Sequence, residues 1–153
     1  MSQDIETHRH FMALALAEAE QGMAEGGLPI GAVLVRGNEI VAAGHNQRVQ
    51  QGDPIAHGEM DCLRKAGRQR TYRDTVLYTT LSPCMMCGGT IVQFGIPRVV
   101  VGEAENFEGN IPFLRERGVD VVLLDDEGCK DAMRRFLSKP ENVTLWHEDI
   151  AED

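Results

Sequence analysis

Across residues 75–124, three apolar runs alternate with stretches of helical character. The runs are "DTVLYTT", "PRVVVGE" and "VDVVLLD"; between them lie "CMMCGGTIVQFG" and the shorter "IPFLRERG". A strand that is followed by a helix and then by another strand needs a crossover connection, and crossovers pair strands in parallel. That alternation fixes the centre of the fold. Upstream, "ETHRHFMALALAEAEQGMAEGG" has apolar residues at helical spacing and stops on two glycines. "IGAVLVRGNEIVAAGHN" reads as two short strands around a turn at Gly37 and Asn38. A loop with Gly52 and Pro54 leads to a helix from about His57 to Ala66. Downstream, "DEGCKDAMRRFLSK" is a helix, and Pro140 opens a last one, "PENVTLWHEDIAED". The first two strands form an antiparallel hairpin. The sum is an α/β chain with a mixed five-stranded sheet and helices on both faces. No repeat, low-complexity tract or linker interrupts the 153 residues, which fit one domain, 1–153.

The charge narrows the partners. With 24 acidic against 15 basic side chains the net charge is −9, whereas proteins that grip phosphate backbones carry a basic face. The one basic cluster, "RKAGRQRTYR" at 64–73, reads as a solvated helix end rather than a nucleic-acid site. No run of eighteen apolar residues is present, and "MSQDIETHRH" lacks the features of a signal peptide. The expectation is therefore a cytoplasmic protein with no membrane and no nucleic-acid partner. In such a compartment four cysteines are ligands or core residues rather than disulfides. Cys62 and Cys129 sit among helical residues and read as small buried hydrophobes.

Cys84 and Cys87 have the two-residue gap of a ligand pair, and "HGE" at 57–59 adds an imidazole and a carboxylate. Two thiolates and one imidazole suit zinc by softness and geometry. Both segments place their ligands at helix starts, where free amides and the helix dipole favour a thiolate. Pro83 suits a helix entry. A structural site would need a fourth ligand, from Cys62, Cys129, His45 or His147. Cys62 lies five residues past His57, about 140° around a helix, and would struggle to reach the same metal. With Glu59 beside the ligands, the reading is a catalytic site in which water takes the fourth position. Glu59 can then carry protons between that water and a substrate. No Gly-x-Gly-x-x-Gly or Walker loop suggests a nucleotide cofactor.

His-x-Glu followed by Pro-Cys-x-x-Cys is the signature of zinc-dependent nucleobase deaminases. The longer set "GGLPIGAVLV", "GHN", "HGE", "LYTTLSPCMMC", "GIPRVVVGE" and "WHEDI" resembles the cytidine deaminase-like superfamily and, within it, the yeast-type cytosine deaminases. The resemblance runs from about residue 18 to residue 150. It implies a three-layer α/β/α cytidine deaminase-like fold, a single CMP/dCMP deaminase-type zinc-binding domain with one Zn2+ per chain, and a homodimer. It implies hydrolysis of cytosine to uracil and ammonia, as in pyrimidine salvage, with His57, Cys84 and Cys87 on the metal. Glu59 would take a proton from water at the metal, protonate the ring nitrogen and help the amine leave. Matching positions suggest a substrate cradle: the Asn46 amide, the backbone of Gly58 and Cys84, the Ser82 carbonyl, the Asp149 carboxylate, and Phe107 and Trp146 over the base. The sequence departs from that pattern at Asp61, Cys62 and His147, which keeps isocytosine, guanine, a pterin-like base or a nucleoside open as substrates. Outside enzymes, the rival is a zinc-stabilised binding module.

Overall fold

The computed structural model describes residues 2–151, and the last two residues of the predicted final helix, Glu152 and Asp153, lie outside them. Helix α1 (Ser2–Ala24) precedes the hairpin β1 (Gly31–Arg36) and β2 (Glu39–His45). A one-turn helix α2 (Arg48–Gln51) and helix α3 (Gly58–Ala66) follow, then β3 (Thr75–Leu81), α4 (Met85–Phe94), β4 (Arg98–Glu103), α5 (Ile111–Glu116) and β5 (Asp120–Leu123). Helices α6 (Glu127–Leu137) and α7 (Pro140–Ile150) complete the chain. The strand order is β2-β1-β3-β4-β5. β1 runs antiparallel to both neighbours, while β3, β4 and β5 are parallel, as the helix crossovers require.

The turn between β1 and β2 carries positive φ at both Gly37 (54°) and Asn38 (65°), the backbone that joins twisted antiparallel strands through two residues. Period-2 alternation then sends Ala32 and Leu34 to one face of the sheet and Val33 and Val35 to the other. The first face packs under α3, α4 and α5 through Cys62, Leu63, Ile91 and Leu114. The second packs under α1 and α6 through Phe11, Met12, Ala15 and Cys129. Burial on both faces explains why the central strands read as nearly continuous apolar runs. Cys62 and Cys129 are core residues, as expected.

Two close approaches set the helices on the hairpin. A side chain at Gly31 would meet the carbonyl of Ala15 and the amide of Ala19 in α1, and one at Gly44 would stand 2.6 Å from the Cys62 amide in α3. α3 is thereby pressed against β2, and its first residues are brought to the carboxyl end of β3. A third cluster, with Leu28, Ile30, Leu81, Met133, Phe136 and Trp146, seats α7 against α6 and over that same end of the sheet. The segment 48–51, expected as loop, is helical; its "RVQQ" buries no residue and so offers no periodicity to read.

Gly44→Ala is expected to destabilise the fold by about 1–3 kcal/mol, since the Cys62 backbone cannot yield as a flexible side chain would. Denaturant titration of the variant against the parent protein measures it.

Candidate active site

Three ligand-type side chains converge where α3 and α4 begin. His57 is the N-cap of α3 and Cys84 the N-cap of α4, both with extended backbone and neither making a side-chain capping bond. Their side chains are thus free to face each other. His57 Nδ1 lies 3.4 Å from Cys84 Sγ and 3.7 Å from Cys87 Sγ. Among the described residues these three are the group of His, Cys, Asp or Glu whose donor atoms lie within 4.8 Å of one another. A tetrahedral zinc with Zn–S near 2.3 Å and Zn–N near 2.0–2.1 Å would set its nitrogen and sulfur about 3.6 Å apart. The observed separations bracket that value, so the donor set fits the metal in both chemistry and spacing.

None of the four other ligands weighed from the sequence joins the group. The Cys62 thiol faces the Ala42 carbonyl at 3.5 Å within the core, and Cys129 packs with Phe11 and Tyr78. His45 is engaged by Glu18 and Glu25, and His147 falls outside the cluster.

The polar surroundings are tuned by burial and by the thiols. The Cys84 thiol is lowered to about 4, first by the hydrogen bond with Cys87 and then by His57, while Cys87 is pushed well up. Glu59 is buried and its carboxyl is raised to about 7, chiefly by desolvation and next by the charge of Cys84. On the far side of the imidazole, His57 Nε2 lies 3.4 Å from Asp149 Oδ1. Carboxylates at that position orient metal-binding histidines and fix their tautomer.

His57, Glu59, Cys84, Ser82 and Asp149 line one cavity, closed by Ile30, Leu81, Phe107, Trp146 and Ile150. Phe107 and Trp146 meet edge to face, centroids 5.5 Å apart. The free volume is only about 20 Å³, room for roughly one water. The structure therefore brings Ser82, Phe107, Trp146 and Asp149 to the metal cluster. Gly58 and Asn46 do not line the cavity. Gly58 sits behind it, where a Cβ would stand 2.8 Å from the Ile30 carbonyl. Asn46 is fully buried; its Oδ1 accepts from the Arg48 amide, and its Nδ2 has no partner. A buried amide nitrogen left open is a costly feature unless something else binds it. Asp61 and Cys62 do not reach the cavity either: Asp61 accepts from the His45 amide and pairs with Lys65. His147 likewise lies off its wall.

Sequence reasoning missed Ile30, Leu81 and Ile150, whose aliphatic side chains carry no chemical signal. It also missed Arg48. Arg48 Nη1 donates to Asp149 Oδ1 at 2.8 Å across 101 residues of chain, a pairing that no local pattern announces.

Residues 5–103 match the cytidine and deoxycytidylate deaminase zinc-binding region. The chain belongs to that family, and it is a hydrolase acting on the C–N bonds of cyclic amidines. The cytosine deaminase of Candida albicans (strain SC5314 / ATCC MYA-2876) is 46% identical over 145 residues, covering 92% of this chain and 95% of the relative. The tRNA-specific adenosine deaminase of Buchnera aphidicola subsp. Schizaphis graminum is 41% identical over 110 residues, covering 70% of this chain and 73% of that one. A solved structure from work on A-to-I editing by tRNA:A34 deaminases superposes with a TM-score of 0.71 at 30% identity, covering 81% of this chain and 99% of its own.

The strand that delivers Asn46 is anchored by His45, whose two ring nitrogens lie 2.8 Å from Glu18 and 2.9 Å from Glu25, both on or just after α1. Burial opposes the imidazolium, but the hydrogen bonds to Glu18 and Glu25 outweigh it, and His45 is raised above its ordinary 6.5. Glu25, lowered to about 2 first by Gln21 and then by His45, stays charged throughout this range. A raised folded-state value means a contribution fully present below 6.5 and lost as pH rises through the folded value. The stability deficit of His45→Gln against the parent protein should therefore be largest near about pH 6 and shrink towards about pH 9 in urea titrations.

Proposed function

We propose that this protein is a zinc-dependent hydrolytic deaminase of a free nucleobase, cytosine foremost, which it converts to uracil and ammonia. The observation that carries the reading is the narrow cavity: Phe107, Trp146 and Ile150 line it beside His57, Glu59 and Cys84, and its free volume of about 20 Å³ suits a small ligand admitted by a modest opening rather than a polymer. Similarity to the Candida cytosine deaminase across nearly the whole chain supports it. The cytoplasmic setting follows from the same reading, because two of the four cysteines must stay reduced to bind metal.

His57 Nδ1 and the Cys84 and Cys87 thiolates would hold the zinc. Zinc bound there supplies a Lewis acid that lets a water lose its proton near neutral pH. Glu59 does the proton work. Its carboxylate takes a proton from the water and passes it to the ring nitrogen, as the water oxygen bonds to the amino-bearing carbon. The proton of the new hydroxyl then travels through the same carboxylate to the amine, the C–N bond breaks and ammonia leaves. Burial, which raises the Glu59 carboxyl, suits a group that must both accept and donate a proton. Asn46 does not line the cavity as it stands, and its open Nδ2 is the donor we assign to the base carbonyl once the cavity widens around a base. Asp149 and the Ser82 carbonyl face the exocyclic amine, Gly58 and Cys84 offer their backbone, and Phe107 and Trp146 stack on the ring.

A tRNA substrate is the second reading, favoured by the tRNA-specific adenosine deaminase relatives. The roof over the site and the net charge of −9 weigh against a polynucleotide. We further propose a homodimer through the open faces of α3 and α4. Met85 is 61% exposed and Phe94 41% exposed there, and Met60, Leu63, Tyr72 and Phe94 line a 360 Å³ groove.

Ammonia release by the zinc-replete protein, run on cytosine, isocytosine, cytidine, guanine, adenine and a tRNA anticodon stem-loop, tests the substrate. Fast turnover of cytosine alone is the expected outcome; turnover confined to the stem-loop overturns it. Glu59→Gln should cut turnover by roughly 10²–10⁴ while metal content stays at one zinc per chain, whereas a binding module would lose nothing. Sedimentation should give twice the 16.9 kDa chain mass, falling to the single-chain value in Phe94→Asp.

A further inference from the structure

Helix α7 is fastened at two places. Near its start, Asn142 Nδ2 donates to the Phe136 carbonyl of α6. Near its end, the ion pair from Arg48 and the contact from His57 Nε2 both fall on Asp149 Oδ1. The Arg48 guanidinium is itself held on the loop before α3, where Nε donates to the Pro54 carbonyl at 3.2 Å. Its main-chain amide donates to Asn46 Oδ1 at 3.0 Å, which leaves Asn46 Nδ2 as the open group. Arg48 therefore touches the elements that bear Asn46, His57 and Asp149.

We infer that Arg48 is a positioning residue: its guanidinium straps the far end of α7 closed over the cavity and holds the Asp149 carboxylate toward His57. The Asp149 side chain is 3% exposed and that of Arg48 19%, so the pair is largely shielded from solvent and salt. With only about 20 Å³ inside, no base enters while the roof is in place. Entry requires α7 to lift, and lifting α7 requires the pair to separate. The Asn142 end, still bonded to α6, is the natural pivot. Loss of the guanidinium would also leave a buried carboxylate facing the site without its cation, a costly state that itself favours lifting. The inference rests on this cavity being the reaction site, but not on which base is turned over.

Trp146 is the only tryptophan of the chain and is 6% exposed on α7, so its fluorescence reports the roof directly. Acrylamide quenching of the zinc-loaded protein, without substrate, is the test. Arg48→Ala should raise the quenching constant severalfold with zinc content and far-UV dichroism unchanged, and Arg48→Lys should recover most of the protection. Asp149→Asn should also raise the quenching constant, by no more than Arg48→Ala, which leaves a buried carboxylate unpaired, and the double variant should not exceed Arg48→Ala. Unchanged quenching in Arg48→Ala, a rise that merely tracks loss of zinc, or additive single effects would each overturn the strap. Because no turnover is needed, inactivity on every base would sink the substrate reading and leave this result standing.

Discussion

The approach of the His57 imidazole to the Cys84 and Cys87 sulfurs is the constraint that organises the molecule. Two helices must start at one point although their first residues are 27 positions apart in sequence. Pressing α3 onto the glycine of β2 supplies one start, and the carboxyl end of β3 supplies the other. The central strands, buried on both faces, form the base on which that meeting point rests. Catalytic and binding groups placed on such elements are held more closely than groups on free loops.

The remainder of the site hangs on this point in layers. Glu59 follows His57 by two residues and is forced inward by the helix start. Gly58 lets the turn lie against the Ile30 carbonyl, and Ser82 sits immediately before the proline that begins α4. The more distant side chains, Phe107, Trp146 and Asp149, arrive from later segments and complete the lining, and of these Asp149 also reaches the His57 imidazole.

How much of this could be read from sequence follows the range of each interaction. The parallel half of the sheet was legible because crossovers leave a local alternation of strand and helix. The turn was legible in Gly37 and Asn38, and the convergence of His57, Cys84 and Cys87 in the cysteine gap and in "HGE". Trp146, expected over the pocket, lines the cavity and also packs α7 on α6 with the same ring. The α2 helix left no trace, having no buried residue. The Arg48–Asp149 pair and the open Asn46 Nδ2 were invisible, because each depends on long-range placement rather than on spacing. The departures at Asp61, Cys62 and His147, suggestive in an alignment of motifs, proved to be packing and surface positions away from the cavity wall.

The side chains at the N-caps of α3 and α4 make no capping bond. Helices ordinarily secure their first amides with such a side chain, and both positions here instead turn a metal-ligand type of side chain toward the other. With zinc as the ion, its loss would loosen two helix starts at once, on either side of the same loop-strand junction. Metal occupancy and folding are then one equilibrium.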